Sequence, residues 1–256
     1  MRRLRPLLLA CLLHFAAAAH AERMTVAAAA DLKFAMDAML AIFKKAYPAD
    51  DVAVVYGSSG KFYAQIQQGA PYDLYFSADI AYPRGLAQAG FAASEVKRYA
   101  VGRIVLWSAS LDASQLTLAG LADPKISRIA IANPKHAPYG KRAEEALRAS
   151  GVWEKVEPKL VYGENIAHTA QFVQSGNAQV GIIALSLAVN PELAQRGGYG
   201  LIPDHLHEPL EQGFIITKRA QGNALARRFA DFVGSQPARV VLSQNGFILP
   251  VQAANQ

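Results

Sequence analysis

The sequence predicts an α/β protein made of two lobes. Short apolar runs alternate with segments whose apolar residues recur at helical spacing, which is the pattern of a parallel sheet with helices on its faces. The alternation pauses near residue 101 and then starts again. We therefore expect residues 22–101 and 213–256 to form lobe I, with residues 102–212 inserted as lobe II. The chain should cross between the lobes at 101–103 and return at 211–213.

The first lobe is predicted from a continuous series of strands and helices. The run MTVAAAA is typical of a buried strand, and the helix after it places Leu32, Met36, Met39 and Phe43 on one face. Gly69 should end the second helix, because glycine accepts the left-handed conformation that follows many helices. The predicted elements are strands at 24–30, 51–56 and 73–77 and helices at 31–46 and 61–68.

The second lobe repeats this alternation, and the end of the chain returns to the first lobe. Gly151, Gly176 and Gly246 follow predicted helices as stop residues. Strands are expected at 104–108, 128–132, 159–162, 180–184 and 213–217, and helices at 141–148, 167–174, 224–233 and 237–244.

The N-terminus has the three parts of a cleaved secretory signal. Three arginines among residues 2–5 precede the apolar run 7–18, and residues 19–21 (AHA) place small side chains before a cut. The apolar run is shorter than a membrane-spanning helix needs. We predict cleavage after Ala21 and a periplasmic location. A permanent anchor and lipidation at Cys11 are the alternatives.

Composition excludes several classes of site and partner. Cys11 is the only cysteine, so the chain after Ala21 has no disulfide, thiolate nucleophile or cysteine-bound metal. The sequence has 26 Lys and Arg, three of them in the leader, against 20 Asp and Glu. This small excess comes without a basic cluster, so we expect no nucleic-acid partner. No segment after the leader is long and apolar enough for a transmembrane helix.

Four loops that follow predicted strands offer donors for an anion. They are the junctions 29–31, 57–60, 137–140 and 164–166, and ligands of α/β proteins lie where strands lead into helices. The first N–H groups of a helix lack partners and carry the positive end of its dipole. Ser58 and Ser59 add hydroxyl donors. Serine and aspartate are also ordinary helix caps, so each junction has a purely structural interpretation as well.

These loops also carry a family resemblance. The chain resembles the periplasmic molybdate-binding proteins of ABC transporters, which have a type II periplasmic-binding fold. The likeness runs over nearly the whole chain after the leader. The family implies two lobes that close on one tetrahedral oxyanion, molybdate or tungstate. The clearest segments are VAAAADL (26–32), YGSSGKFYAQIQQGAPYDLYFSAD (56–79), NPKHAPYG (133–140) and SGNAQVGIIA (175–184).

The resemblance implies which groups hold the oxyanion. Ala30 and Asp31 would donate from the first loop, and Ser59 would give its hydroxyl and its amide. Tyr139 and Ile166 would give backbone amides from the second lobe. Molybdenum would enter only as the oxyanion, so no residue would act as a metal ligand, and no cofactor is expected.

The partners that the resemblance implies are a membrane permease and an ATPase. The chain itself has no Walker A motif, so ATP would be hydrolysed by another subunit. We expect this protein to be a monomer.

Two positions depart from the family pattern. Ala184 stands where some relatives have a tyrosine, so that hydroxyl contact should be missing. Asp31 stands where a serine or asparagine is expected, and an inward carboxylate would repel a dianion. We predict that Asp31 points away and caps its helix, contributing only its N–H.

Other solutes are alternatives to molybdate. A site with donors alone accepts fully ionised oxyanions, whereas a protonated phosphate needs an acceptor, which Asp31 or Glu164 would have to supply. Sulfate has the charge of molybdate and differs in size. An amino-acid binder would need an arginine for the carboxylate, and a ferric-ion binder would need paired tyrosines; the sequence shows neither pattern.

A secreted hydrolase is the alternative from another class of protein. Ser59 would need a base beside it, and no Gly-x-Ser-x-Gly elbow surrounds it. We expect His136 and His168 at the surface or behind the site. His205 and His207 should lie in a solvated loop rather than bind a metal.

Overall fold

The structure is a computed structural model that describes residues 22–250. Its strands are β1 (Arg23–Ala29), β2 (Asp51–Gly57), β3 (Leu74–Ser77), β4 (Lys97–Gly102), β5 (Ile104–Ser108), β6 (Ile129–Ala132), β7 (Leu160–Gly163), β8 (Val180–Ala184), β9 (Gly198–Leu201) and β10 (Leu210–Ile216). Its α-helices are α1 (Lys33–Ala46), α2 (Ser59–Gln67), α3 (Ala81–Gln88), α4 (Pro138–Ala149), α5 (Trp153–Val156), α6 (Ile166–Gln174), α7 (Leu185–Ala188), α8 (Pro191–Ala194), α9 (Ala224–Val233) and α10 (Gln236–Gln244). The predicted leader, residues 1–21, lies outside these residues.

The strands form two sheets of five strands each. The first sheet has the order β2-β1-β3-β10-β4, and the second has the order β7-β6-β8-β5-β9. Within the first sheet β1 pairs in parallel with β2 and β3, and within the second β6 pairs in parallel with β7 and β8. The prediction of an α/β protein with helices between strands is therefore confirmed.

The sheets are mixed rather than wholly parallel, which corrects the prediction of parallel sheets. β10 runs antiparallel to β3 and β4, and β5 runs antiparallel to β8 and β9. Both strands adjoin a connection between the sheets: β4 leads into β5 through Arg103 alone, and β10 follows β9. β10 enters from the second sheet at the edge where β1 and β3 end, so it must run antiparallel to them.

The last strand begins earlier than the sequence pattern indicated. The strand predicted at 213–217 starts at Leu210, because Glu211 and Gln212 already pair with Val101 and Ala100 of β4. These two polar residues interrupt the apolar pattern, so periodicity could not detect their part of the strand. The strand β4, the helix α3 and the edge strand β9 were also not predicted.

Each sheet is buried by helices of its own part of the chain. In the first part, α1, α9 and α10 cover a core that includes Met36, Phe43 and Phe229, all at most 2% exposed. In the second part, α4 and α6 cover a core that includes Ile131 and Trp107. Glycines 69, 151, 176 and 246 all have positive φ after a helix, as predicted. Across residues 22–250, no helix is both long and apolar enough to cross a membrane.

Candidate functional site

A small cavity lies where the two sheets face each other. Every residue predicted for the site lines it, namely Ala30, Asp31, Ser58, Ser59, Tyr139 and Ile166. Its volume of about 10 Å³ is far below the range of about 300–1,000 Å³ that is usual for pockets holding drug-sized ligands. The cavity therefore suits a small ion. The other lining residues are Ala29, Gly57, Ala78, Ala137, Pro138 and Asn165.

The cavity wall is made of helix starts. The helices α2, α4 and α6 begin at Ser59, Pro138 and Ile166, and a 3-10 turn at Ala30–Leu32 leads into α1. The first N–H groups of each helix have no acceptor within the helix, and the dipole adds positive potential there. No Lys or Arg is among the lining residues. The positive potential therefore comes from backbone amides, which is the chemistry of an anion site.

Ser59 is held so that its hydroxyl can donate. Its side chain is 1% exposed, and its Oγ accepts the N–H of Ala78 at 3.0 Å. Its carbonyl accepts the hydroxyl of Tyr75 at 2.8 Å, which fixes the start of α2. Because Ala78 occupies one acceptor position on Oγ, the single hydroxyl proton is left for another acceptor.

Ser58 has a different role from the one predicted for it. Its hydroxyl donates to the carbonyl of His136, and its Oγ lies 2.9 Å from Nδ1 of the same residue. The N–H of Gly60 donates to that carbonyl at 2.9 Å, and a Cβ on Gly60 would lie 2.7 Å from it. The hydroxyl proton of Ser58 is thus used to join the two lobes, and the prediction that it donates to the ligand is not supported.

Asp31 does not cap its helix, so that part of the prediction is wrong. Neither the 3-10 turn nor α1 has a side-chain cap, and Oδ2 of Asp31 instead accepts Nε2 of Gln212 at 2.7 Å and Oη of Tyr139 at 3.0 Å. Gln212 in turn accepts the hydroxyl of Tyr99 at 2.5 Å. Asp31 is only 1% exposed, so its carboxyl is hydrogen-bonded to buried donors from distant parts of the chain rather than serving as the cap of its own helix.

Burial also controls the ionisation of this network. Burial raises the pKa of Asp31 to about 6, and hydrogen bonds from Gln212, from Tyr139 and from the backbone N–H groups of Asp31 and Leu32 offset part of that rise. Oδ1 of Asp31 is buried and accepts no hydrogen bond from a side chain among the described residues. Burial, followed by the charge of Asp31, also raises the pKa of Tyr139 and leaves its hydroxyl protonated as a donor.

Ion pairs close the rim of the cavity. Lys61 of α2 lies 3.0 Å from Glu164, which precedes α6. Arg142 of α4 lies 3.7 Å from Asp79, which follows β3. The hydrogen bond and charge of Lys61 lower the pKa of Glu164. Glu164 is therefore engaged at the rim and does not line the cavity.

The predicted start of the fourth junction lies as expected. Ile166 is the first residue of α6, and the side chain of Asn165 caps that helix by accepting the N–H of His168. His168 accepts the N–H of Glu164 at 3.3 Å, and its ring packs at a tilt against Phe172. His168 thus supports the junction from outside the cavity.

Sequence reasoning missed the residues that join the lobes at this site. His136 was expected at the surface or behind the site, and it does not line the cavity. What was not predicted is that its carbonyl accepts hydrogen bonds from Ser58 and Gly60 of the other lobe. Gln212 and Tyr99 were not considered. The one signal in the sequence for Gln212 was its position directly before the apolar run GFIIT. Among residues 22–250 there is no group of three His, Cys, Asp or Glu residues that could hold a metal ion.

Two α/β lobes around a cavity lined by amides define a solute-binding protein. The chain belongs to the family of bacterial extracellular solute-binding proteins, whose model matches residues 24–248. The two-lobed periplasmic-binding fold and the family resemblance predicted from the sequence are both confirmed.

Relatives in this family are named as molybdate-binding proteins. The molybdate-binding protein ModA of Rhodobacter capsulatus is 36% identical over 199 residues, 77% of each chain. The protein of the same name from Azotobacter vinelandii is 35% identical over 233 residues, 91% of this chain and 92% of that one. These relatives are binding proteins rather than enzymes.

Solved structures agree with this assignment of the fold. The periplasmic molybdate-binding protein of Azotobacter vinelandii superposes with a TM-score of 0.83 at 30% identity, covering 89% of this chain and 100% of that one. The sulfate-binding protein SubI of Mycobacterium tuberculosis superposes with a TM-score of 0.74 at 17% identity, which shows a shared fold only.

Proposed function

We propose that this protein binds molybdate, and also tungstate, as the extracytoplasmic subunit of an ABC importer. The observation that carries the proposal is the convergence of four helix or turn starts and the Ser59 hydroxyl on one small cavity without a cationic side chain. The names of the relatives from Rhodobacter capsulatus and Azotobacter vinelandii support the choice of anion.

The chemistry of the wall suits a fully ionised oxyanion. A dianion that enters a dry cavity loses its hydration and needs hydrogen bonds in return. Each hydrogen bond to a charged group contributes about 1.5–3 kcal/mol. The proposed donors are the amides of Ala30, Asp31, Ser59, Tyr139 and Ile166 together with the Ser59 hydroxyl. These groups bind oxygen atoms, so molybdenum needs no protein ligand of its own.

Another tetrahedral oxyanion is the second candidate, and one observation favours it. Oδ1 of Asp31 is a buried acceptor without a side-chain partner in a residue that lines the cavity. A protonated phosphate would use such an acceptor, whereas sulfate would not. Sulfate and molybdate carry the same charge and differ in size, so the size of the closed cavity would have to select between them.

A hydrolase is not favoured by the contact between Ser58 and His136. The hydroxyl and the imidazole nitrogen are 2.9 Å apart, but the hydroxyl proton is donated to the carbonyl of His136. A nucleophile needs that proton directed to the base. We therefore propose a binding role without catalysis, and a screen with generic ester substrates tests it: turnover that Ser58→Ala abolishes would contradict it.

We further propose that the chain is exported, cut after Ala21 and retained in the periplasm as a monomer. There it would deliver its ligand to a membrane permease that is driven by a separate ATPase. Lobe I would comprise residues 22–101 and 213–256, and lobe II residues 102–212. N-terminal sequencing of the protein purified from the periplasm tests the cut, and a mature chain that starts elsewhere would refute it.

Titration calorimetry with four anions tests the ligand. The purified protein should bind molybdate and tungstate in a one-to-one ratio and should bind sulfate and phosphate at least about 100-fold more weakly, a difference of about 2.7 kcal/mol. Binding of phosphate alone would reject molybdate and favour the second candidate. Binding of sulfate alone would show that the cavity selects the smaller dianion.

A further inference from the structure

The buried carboxyl of Asp31 is the one acidic group in the cavity wall. Both of its hydrogen-bond donors, Gln212 and Tyr139, act on Oδ2. Oδ1 is buried and accepts no hydrogen bond from a side chain among residues 22–250, and only the backbone N–H groups of Asp31 and Leu32 lie near enough to the carboxyl to favour its ionised form. An ionised carboxylate would thus carry half of its charge on a buried oxygen that no side chain solvates, which is costly.

Among residues 22–250, no cationic side chain contributes to the pKa shift of Asp31 or is hydrogen-bonded to its carboxyl. The titratable groups that face it are the phenols of Tyr99 from β4 and Tyr139 from α4, and its backbone carbonyl accepts the hydroxyl of Ser186 from α7. The helices α1 and α6 also pack near its turn, and no charged side chain from either is hydrogen-bonded to the carboxyl. A dianion in the same cavity would add a second and larger negative charge in a poorly solvated space.

We propose that Asp31 takes up one proton from solvent when molybdate binds, so that the loaded site contains a neutral carboxylic acid. This inference rests on the proposed function. Oδ1 is the oxygen that receives the proton, since Oδ2 already accepts two hydrogen bonds. The proton removes the repulsion that the sequence led us to expect, and it turns an acceptor into one more donor. Asp31 is therefore a residue that makes affinity depend on pH.

The direction of that dependence follows from the protonation states. In the protein without molybdate, burial raises the pKa of Asp31 to about 6, and a dianion beside it raises the pKa further. Below about pH 6 the carboxyl is already neutral, so affinity should be constant there. Above about pH 6 each binding event must take a proton from solvent, so affinity should fall by up to about tenfold per pH unit.

The rim histidine is the competing source of any pH effect. Burial, and then the charge of Lys61, lower the pKa of His136, while the charge of Glu164 raises it. A protonated His136 would also favour an anion at low pH. Two matched substitutions separate these groups: Asp31→Asn keeps the size and the acceptor for Gln212 without titrating, and His136→Gln removes only the imidazole and keeps the carbonyl that accepts Gly60.

The experiment is titration calorimetry with sodium molybdate from about pH 5.5 to 8.5, in pairs of buffers with different ionisation enthalpies. For the unmodified protein we expect affinity that falls above about pH 6, with close to one proton taken up per molybdate at the alkaline end. The His136→Gln variant should keep this slope. The affinity of the Asp31→Asn variant should not change with pH across this range, and the variant should take up no proton on binding.

Infrared difference spectra give an independent readout. Adding molybdate at alkaline pH should produce a carboxylic-acid C=O band in the unmodified protein and not in Asp31→Asn. Constant affinity without proton uptake in the unmodified protein overturns the proposal while leaving molybdate binding intact. A slope that survives in Asp31→Asn and disappears in His136→Gln also overturns it. Absence of molybdate binding at every pH removes the proposed function itself and the inference with it.

Discussion

Replacing Ser59 with alanine removes a buried hydroxyl donor that the structure leaves available in the cavity wall. The side chain is 1% exposed, and its Oγ already accepts the N–H of Ala78 at 3.0 Å. Under the proposed function, its remaining hydroxyl proton is donated to the ligand. A hydrogen bond to a charged group contributes about 1.5–3 kcal/mol, which corresponds to about a 10- to 150-fold loss of affinity for molybdate.

The same substitution has a separate effect on stability. Without Oγ, the buried N–H of Ala78 loses its acceptor, which costs about 1–3 kcal/mol. The melting temperature of the ligand-free variant should fall by about 2–4 °C for each kcal/mol, as for other domains of this size. The loss of affinity must therefore be measured well below the melting temperature, where both proteins are folded.

Calorimetry on Ser59→Ala needs two matched variants. Ser110→Ala changes an exposed serine in the loop after β5 and should leave both affinity and melting temperature unchanged. Ser58→Ala removes a hydroxyl that donates to His136, so it should weaken the contact between the lobes without removing a ligand donor. Affinity of folded Ser59→Ala equal to that of the unmodified protein would refute the placement of its hydroxyl in the site.

Three further predictions follow from the contacts around the cavity. A Cβ at Gly102 would clash with the hydroxyl of Tyr139 and lie 2.8 Å from Nε2 of Gln212. Gly102→Ala should therefore lower the free energy of unfolding by about 1–3 kcal/mol and weaken molybdate binding. An unchanged melting temperature and unchanged affinity would contradict this. Lys61 and Glu164 form an exposed pair worth about 0–1 kcal/mol, so a double-mutant cycle on molybdate affinity should give a coupling below about fivefold, and a larger coupling would show that the pair controls closure. The pKa of Asp31 is raised from 3.8 to about 6, so between these pH values the ligand-free protein binds more protons when folded than when unfolded. The free energy of unfolding should therefore fall by up to about 3 kcal/mol as pH rises from about 4 to above 6. Denaturant melts of Asp31→Asn should lack this loss.

The sequence predicted the elements that carry a strong apolar pattern. The helix before Tyr47 was found because its buried residues recur at helical spacing, and the strand that ends at Ala184 was found because it is a short continuous apolar run. The strand β4 and the start of β10 were missed because they contain polar residues such as Arg98 and Gln212. Arg98 pairs with Gly213 and Gln212 pairs with Ala100, so each residue is held in its strand by a partner more than a hundred positions away.

The candidate site shows the same division. The junctions that contain Ser59, Tyr139 and Ile166 could be predicted because each is a helix start that follows a strand, a local feature of the chain. The choice of these individual residues came from the family resemblance. The roles of Ser58 and Asp31 could not be found in this way. Their side chains have local partners available at the helix start, yet both are hydrogen-bonded to residues more than seventy positions away.

By itself, then, the sequence determined the α/β class, the helix starts that present amides and the family of solute-binding proteins, because these depend on periodicity, turn residues and short motifs. Only the tertiary structure decided which hydroxyl is free, which is spent on His136, and what faces Asp31. The physical reason is that hydrogen-bond partners and desolvation are properties of the closed interface between the lobes. A carboxylate that local rules assign to a helix cap becomes, once buried there, a group that titrates near neutral pH.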